Sequence, residues 1–309
     1  MRDSIIVALD VPDAESALAI ARPLRGHVGW VKVGMTLYYA EGPRVVAELR
    51  SLGFKVFVDL KLHDIPHQVE GACRTLTRAG ADLFTVHAAG GRAMLEAAVR
   101  ATEAAAAKFR DARPKIVAVT VLTSLDDAAL SETGVWQNAA QQAATLGRLA
   151  RDAGCDGVVC SPGEAAAMRE LWGPDALVVT PGVRPAGSDA GDQARVATPA
   201  EAIAAGASHL VIGRPITGAA DGVAAVKAIL SEIGGEEAAE RGVGPVAATA
   251  TPEGEELPEP VAFFDATAVE GVGKARPRRA SADGQSVVAD AAEEAALAGE
   301  TPGDDAEDV

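Results

Sequence analysis

Residues 54–68 read Phe54-Lys-Val-Phe-Val-Asp59-Leu-Lys61-Leu-His63-Asp64-Ile-Pro66-His67-Gln68. The first five residues predict a buried strand, because β-branched and aromatic side chains dominate them. Three charged residues, Asp59, Lys61 and Asp64, then follow within six positions. A charged group that leaves a buried strand has to be paired or to take part in chemistry, because burying it alone is costly. This stretch therefore indicates a site at the C-terminal end of a strand.

The DxKxxD pattern has two interpretations. The simpler one is a surface ion-pair cluster at a turn between a strand and a helix. The other is a functional site, which the continuous apolar strand before the pattern favours. Side chains alternate along a strand, so Asp59 and Lys61 are expected to share a face. Asp64 lies beyond the turn, where it reaches either the same space or the equivalent space of a neighbouring subunit.

Length and composition are compatible with a large core, since 48% of the 309 residues are hydrophobic. The charge is distributed unevenly. Residues 236–309 contain 18 acidic and 5 basic residues, and they account for −13 of the total net charge of −16. Residues 1–235 are therefore close to neutral, and the acidity of the whole chain says nothing about its ligand.

The three cysteines, Cys73, Cys155 and Cys160, lack the CxxC or Cys/His spacing of a zinc site. This argues against a structural metal and against a disulfide scaffold, and it indicates a reducing, cytoplasmic setting. The N-terminal apolar run is too short for a signal peptide, and no window approaches the length of a membrane span. We expect a cytoplasmic protein whose partners include neither membrane nor nucleic acid.

Apolar segments of strand length alternate with amphipathic segments of helix length along the first 235 residues. Eight such units predict a (β/α)8 TIM barrel. A doubly wound open sheet is the competing fold, but it seldom needs eight repeats. The predicted strands begin near Ser4, Val28, Phe54, Asp82, Lys115, Cys155, Ala176 and Ser208.

Residues 236–309 are predicted to be a disordered acidic tail. They are rich in Glu, Ala, Gly and Pro, and Phe263 and Phe264 are their only aromatic residues. Such a composition cannot bury enough apolar surface to offset the entropy lost on ordering. The domain prediction is therefore a catalytic barrel at 1–235 and a tail at 236–309, for which a solvating spacer is the simplest role.

In a TIM barrel the C-terminal ends of the strands meet at one face, where chemistry is placed. The last two loops combine glycine backbone N–H groups with Arg184 and Arg214, which is the chemistry that binds a phosphate dianion. His63 and His67 suggest a metal pair. The next helix, however, is predicted to start near Pro66, so the two imidazoles do not share a helix face, and a metal is the less favoured interpretation. The residues predicted at the strand ends are Asp10, Lys32, Asp59, Lys61, His87, Thr123, Ser161, Arg184 and Arg214.

These residues and their order resemble the orotidine 5′-phosphate decarboxylase family from about Ile5 to Ile233. Many members of that family have Asn-Thr where this chain has His67-Gln68, at the border of the ribose site. The motifs that carry the resemblance are Asp10, Lys32, the run from Val58 to Pro66, Pro181-Gly-Val-Arg184 with Gln193, and Val211-Ile-Gly213-Arg214.

The resemblance implies conversion of orotidine 5′-phosphate to UMP and carbon dioxide in de novo pyrimidine synthesis, without a metal or an organic cofactor. It also implies a catalytic array of Lys32, Asp59, Lys61 and Asp64. In the family the last aspartate completes the site of the other subunit, so a homodimer is expected to be required for activity.

The resemblance further assigns the substrate contacts. It implies that the segment from Pro181 to Gln193 closes over the substrate as a lid. The 5′-phosphate is expected at Arg184, Gln193, Gly213 and Arg214, the ribose at Asp10, Lys32 and the Asp64 segment, and the pyrimidine edge at Thr123 and Ser124.

The chemistry of the reaction explains the charges. Loss of carbon dioxide from C6 of the pyrimidine leaves an unconjugated carbanion, which requires a fixed cation and a proton donor at one place. Lys61 can serve as both. Asp59 and Asp64 would hold its ammonium group in position and keep it protonated.

Two alternatives remain open at this point. Metal-dependent keto-sugar-phosphate decarboxylases and hexulose-phosphate synthases share DxKxxD, but they place an acidic metal ligand on the second strand. This chain has Lys32 there, a cation that would repel the metal. The second alternative is a non-catalytic barrel that only binds a nucleotide, and the intact charges of Asp59, Lys61 and Asp64 argue against it.

Overall fold

A computed structural model describes residues 2–109, 112–185 and 197–234 of the chain. Within these residues eight parallel strands pair in sequence order, and the first pairs with the last to close a barrel. The prediction of a (β/α)8 barrel is confirmed, whereas Gln193 and the predicted tail at 236–309 lie outside the described residues. The strands are β1 (Ile5–Leu9), β2 (Trp30–Gly34), β3 (Lys55–Leu62), β4 (Leu83–His87), β5 (Lys115–Val119), β6 (Gly157–Val159), β7 (Leu177–Thr180) and β8 (His209–Ile212).

The strands are apolar on both faces because each face is buried against different partners. One set of side chains fills the inside of the barrel, and the alternating set packs against the helices. On β1, for example, Ile6 and Ala8 face the interior, while Val7 and Leu9 face the helix layer. The interior layer consists of Ile6, Ala8, Trp30, Phe57, Leu83, Val117, Val179 and Val211.

Local sequence features, such as glycine and proline, determine where helices of the outer layer begin and end. The sequence from Thr36 to Leu52 predicts one helix, but the structure has two shorter ones, because Gly42 adopts a φ of +66° and Pro43 follows it. Among the described residues no helix is both long and apolar enough to cross a membrane. The helices are α1 (Ala14–Ala21), α2 (Met35–Glu41), α3 (Arg44–Ser51), α4 (Pro66–Ala79), α5 (Arg92–Phe109), α6 (Asp127–Glu132), α7 (Ala139–Asp152), α8 (Ala165–Trp172), α9 (Pro199–Ala204), α10 (Arg214–Thr217) and α11 (Gly222–Gly234).

Strand β3 is irregular at its C-terminal end. Its pairing with β2 is continuous up to Asp59, but its pairing with β4 jumps from Val58 opposite Phe84 to Leu62 opposite Val86. This bulge gives β3 extra residues at the mouth of the barrel, and bulges of this kind re-aim side chains. The expected meeting of Asp59 and Lys61 therefore depends on a bulge rather than on regular alternation.

A histidine is partly buried at the opposite, N-terminal end of the barrel. The ring of His209 packs edge-on against Trp30 with centroids 5.7 Å apart, and its Nδ1 lies 3.0 Å from Ser208 Oγ. Burial lowers the pKa of His209 to about 4, while Asp3 raises it and Lys55 lowers it by smaller amounts. This imidazole is therefore neutral in the folded protein at neutral pH.

We expect the folded state to lose stability as the pH falls from about 6.5 towards 4, because the unfolded histidine binds a proton that the folded one does not. The loss from this one group is at most about 3 kcal/mol. Urea unfolding followed across this pH range measures it. His209→Gln should flatten the decline, and His67→Gln, at an exposed histidine, should follow the wild type. The same decline in wild type and His209→Gln would contradict the assignment.

Candidate active site

A cavity of about 490 Å³ lies at the C-terminal ends of the strands. This volume is in the range of small-molecule sites. Most of the site residues predicted from the sequence line it, whereas Ser124 and Asp64 are exposed and do not. The predicted site residues in its lining are Asp10, Lys32, Asp59, Lys61, Thr123, Pro181, Arg184, Gly213 and Arg214.

Four charged side chains from three neighbouring strands form a row of alternating sign along this cavity. Lys32 Nζ lies 2.8 Å from Asp10 Oδ1 and 3.8 Å from Asp59 Oδ2. Lys61 Nζ lies 3.0 Å from both oxygens of Asp59. The side chain of Lys32 is only 9% exposed, so its ammonium group depends on the two carboxylates for compensation.

The glycine at the end of β2 leaves room for the row. A Cβ atom added to Gly34 would lie 3.1 Å from both Asp10 Oδ1 and Lys32 Nζ. With a side chain at this position, the ends of these two flexible side chains would have to shift by a few tenths of an ångström.

Thr85 on β4 also belongs to this site, although nothing in the sequence pattern singled it out. Its hydroxyl donates to Asp59 Oδ1 at 3.0 Å and accepts the backbone N–H of Lys61 at 2.8 Å. A threonine within an apolar strand is typical of β-structure, so its polar role was hidden by its ordinary strand propensity.

The backbone of Lys61 is strained. Its φ of +51° makes it the only non-glycine residue in the left-handed region among the residues that the structure describes. Such a conformation costs a residue with a Cβ atom about 1–2 kcal/mol. Strain of this kind is retained where the surrounding structure enforces it, and it is found most often at functional sites.

Asp64 forms no ion pair with Lys32 or Lys61, which pair with Asp10 and Asp59. Its Oδ1 accepts the backbone N–H of Ile65 at 2.6 Å, and Lys61 pairs with Asp59 instead. Three large apolar side chains are exposed on the segments that follow β3 and β2: Ile65, next to Asp64 in sequence, is 64% exposed, and Met35 and Tyr39 of α2 are 47% and 72% exposed. Asp64 itself is exposed and does not line the cavity.

The two histidines nearest to Lys61 stack on each other. The rings of His63 and His87 lie 4.9 Å apart at an angle of 16°, and His87 Nδ1 accepts the Ala89 N–H at 3.3 Å. Burial lowers the pKa of His87, and the nearby His63 and Lys61 lower it further. Since α4 begins at Pro66, His63 does not share a helix face with His67. Within residues 2–109, 112–185 and 197–234, no group of three or more His, Cys, Asp and Glu side chains is placed to bind a metal ion.

The loops after β7 and β8 bring two guanidinium groups to the cavity, those of Arg184 and Arg214. The backbone N–H of Arg184 donates to the Ala197 carbonyl at 3.0 Å, which ties together the two ends of the loop after β7. Gly182 precedes this contact with a φ of +77°, a conformation for which glycine is suited. The intervening residues 186–196, with Gln193, lie outside the described residues.

The chain is similar to known proteins over the whole barrel. A model of the orotidine 5′-phosphate decarboxylase / HUMPS family matches residues 3–229. The chain is 54% identical over 233 residues to the orotidine 5′-phosphate decarboxylase of Moorella thermoacetica. The aligned region covers 75% of this chain and 92% of that protein. The corresponding protein of Paramagnetospirillum magneticum is 49% identical over 234 residues, covering 76% of this chain and 100% of that protein.

Two solved structures are also similar to this chain. The crystal structure of orotidine 5′-phosphate decarboxylase from Lactobacillus acidophilus has a TM-score of 0.66 and 40% identity, covering 75% of this chain and 99% of that chain. A conserved protein from Geobacillus kaustophilus, described as uncharacterized, has a TM-score of 0.66 and 43% identity, with coverages of 74% and 99%. From the barrel, the charged row at its mouth and these matches, it follows that the chain belongs to the orotidine 5′-phosphate decarboxylase / HUMPS family.

Proposed function

We propose that this protein is an orotidine 5′-phosphate decarboxylase, a carboxy-lyase that forms UMP and carbon dioxide in de novo pyrimidine biosynthesis. The observation that carries the proposal is the ammonium group of Lys61, which Asp59 holds at 3.0 Å in a cavity that also contains Arg184 and Arg214. The relatives at 54% and 49% identity are named for this activity, and they align over almost their full length.

In the proposed reaction Lys61 stabilises and then protonates the carbanion left at C6 of the pyrimidine. A preorganised cation is most effective where water is excluded and where the charge develops. Asp59 holds the ammonium group in position by opposite charge, and Lys32 balances the second oxygen of Asp59. These residues need no cofactor to supply the charge or the proton.

The remote parts of the substrate provide binding energy. Arg184, Gly213 and Arg214 from the last two loops are proposed to bind the 5′-phosphate, together with Gln193, and Pro181 at the start of the loop after β7 is proposed to contact the substrate. Asp10 and Lys32 are proposed to bind the ribose hydroxyls, and Thr123 with Ser124 the pyrimidine edge. Energy from the phosphate can then close the loop after β7 over the reacting carbon.

We propose a homodimer in which Asp64 completes the site of the other subunit. Two observations support this assembly: Asp64 has no ion pair with the Lys61 of its own chain, and Ile65, Met35 and Tyr39, on the segments after β3 and β2, are exposed apolar side chains. A two-fold dimer could bury these side chains, because it brings the same surface of both subunits together.

The metal-dependent members of this superfamily are a weaker candidate. The two carboxylates best placed to bind a cation, Asp10 and Asp59, already flank the buried ammonium group of Lys32. A divalent ion there would have to displace that lysine. The same charge pattern disfavours a barrel that only binds nucleotides, because such a protein has no use for costly buried charges.

We further propose that the enzyme is cytoplasmic and that residues 1–235 carry the activity. Cys73, Cys155 and Cys160 are buried free thiols, as expected in a reducing compartment. All the residues assigned to the site precede residue 235, so a chain that ends at Gly235 should turn over substrate at the rate of the full chain.

We expect the purified protein to convert orotidine 5′-phosphate to UMP in excess EDTA, as followed by the fall in substrate absorbance. Lys61→Ala should lower the rate by about a thousandfold or more, because it removes both the cation and the proton donor. Lys227→Ala, at an exposed lysine of α11, is the matched control and should be fully active. Turnover that appears only after magnesium is restored would overturn the proposal.

Mixing two inactive variants tests the shared site. A dimer of one Lys61→Ala chain and one Asp64→Asn chain carries both defects in one site and neither in the other. Random reassociation should therefore restore about one quarter of the wild-type activity. If both residues acted within one chain, every site in the mixture would be defective, and no activity would return.

A further inference from the structure

Thr85 links the two ends of Lys61, the backbone directly and the ammonium group through Asp59. Its Oγ1 accepts the Lys61 backbone N–H at 2.8 Å and donates to Asp59 Oδ1 at 3.0 Å, and this same carboxylate binds Lys61 Nζ at 3.0 Å. The contacts close a ring that runs from the lysine backbone through threonine and aspartate to the lysine ammonium group. Thr85 is only 1% exposed, so the ring is shielded from water on the β4 side.

A hydroxyl is suited to this position because one atom must accept and donate. The N–H of Lys61 occupies an acceptor site of Thr85 Oγ1, which leaves the hydroxyl proton to point at the carboxylate. Hydrogen bonds to charged groups are among the stronger ones in proteins. The bond from Thr85 therefore fixes the rotation of Asp59, whose two oxygens face Lys61 and Lys32.

The backbone of Lys61 needs this support. The regular pairing of β3 with β4 is interrupted between Val58 and Leu62, and Lys61 adopts a φ of +51° within the interruption. A left-handed residue with a Cβ atom relaxes unless its surroundings hold it. The side chain of Thr85 supplies a hydrogen-bond partner where the strand ladder does not continue.

We propose that Thr85 is a positioning residue for the decarboxylation: its hydroxyl holds the Lys61 backbone and the Asp59 carboxylate in the arrangement that directs the ammonium group into the cavity. Thr85 does not line the cavity and acts through Lys61 and Asp59. The kinetic part of the inference rests on the function proposed above, and its structural part does not.

Thr85→Val removes the hydroxyl and keeps the branched shape. We expect kcat to fall about 10- to 100-fold, which corresponds to a lost hydrogen bond to a charged group. The dissociation constant of UMP should stay within about twofold, because the phosphate-binding loops are untouched. Thr85→Ser keeps both hydrogen bonds and should restore kcat to within about threefold of the wild type.

Thr120→Val is the matched control. Thr120 is also a 1% exposed threonine, and it directly follows the neighbouring strand β5. Its hydroxyl donates to the Val159 carbonyl at 3.0 Å, and Thr120 neither lines the cavity nor contacts the charged row. Its replacement should leave kcat unchanged. Normal kcat in Thr85→Val, or equal losses in the valine and serine variants, would overturn the proposal.

Amide hydrogen exchange tests the structural part without activity. The Lys61 N–H should be protected in the wild type and in Thr85→Ser, and it should exchange faster in Thr85→Val, which lacks the acceptor. Rapid exchange of this N–H in the wild type would overturn the proposal even if Thr85→Val did not fold. If the wild type were protected but did not decarboxylate orotidine 5′-phosphate, the proposed function would fail and the role of Thr85 in the fold would stand.

Discussion

The rest of the site depends on the ion pairs and the hydrogen bond that the Asp59 carboxylate makes. This carboxylate lies between two ammonium groups, at 3.0 Å from Lys61 and 3.8 Å from Lys32, and it accepts a hydroxyl proton from Thr85. Its side chain is 14% exposed, so this negative charge is stable only while its partners remain in place. Each partner is supplied by a different part of the barrel: β2 supplies one lysine, the bulge of β3 supplies the other, and β4 supplies the threonine.

The apolar layer beneath this row strengthens the electrostatic interactions of the charges. Phe57, Ala8 and Val211 belong to the barrel interior and also line the cavity. Charges above such a layer interact through a medium that is less polarisable than water, so attraction within the row and attraction for a substrate are both larger. The same medium makes a missing partner costly, and this explains why the row alternates in sign.

Much of the fold was predictable from the sequence because strands buried on both faces are continuous apolar runs. The start of α4 at Pro66 was predictable for a similar reason, since proline fits the first turn of a helix. The break between α2 and α3 was not predicted, although Gly42-Pro43 carried a local signal for it. The bulge in β3 had no such signal, because it arises from how β3 pairs with β4, a contact between segments that are distant in sequence.

The residues of the candidate site likewise divide into those that the sequence pattern revealed and those that it did not. Asp59 and Lys61 could be recognised because charges after a buried strand are unusual. Thr85 could not be recognised, because its part in the site consists of hydrogen bonds from β4 to Asp59 and Lys61 of β3, which are distant in sequence. Ser124 was expected beside the pyrimidine but is exposed, since the chain turns away from the cavity after Thr123. Asp64 could be recognised as part of the charged pattern, but it lies beyond the turn, where its carboxylate accepts the Ile65 N–H while Lys61 pairs with Asp59.

Closure of the barrel restricts how the charged row can change during evolution. Lys32 stands opposite Ala8, and Asp59 stands opposite Gly34, so the charged row is aligned by strand register. A slip of one residue would turn Lys32 from the interior to the helix layer. In a closed ring no strand can slip without its neighbours. The outer helices can therefore accumulate changes over evolutionary time while the alignment of the charged row is inherited unchanged.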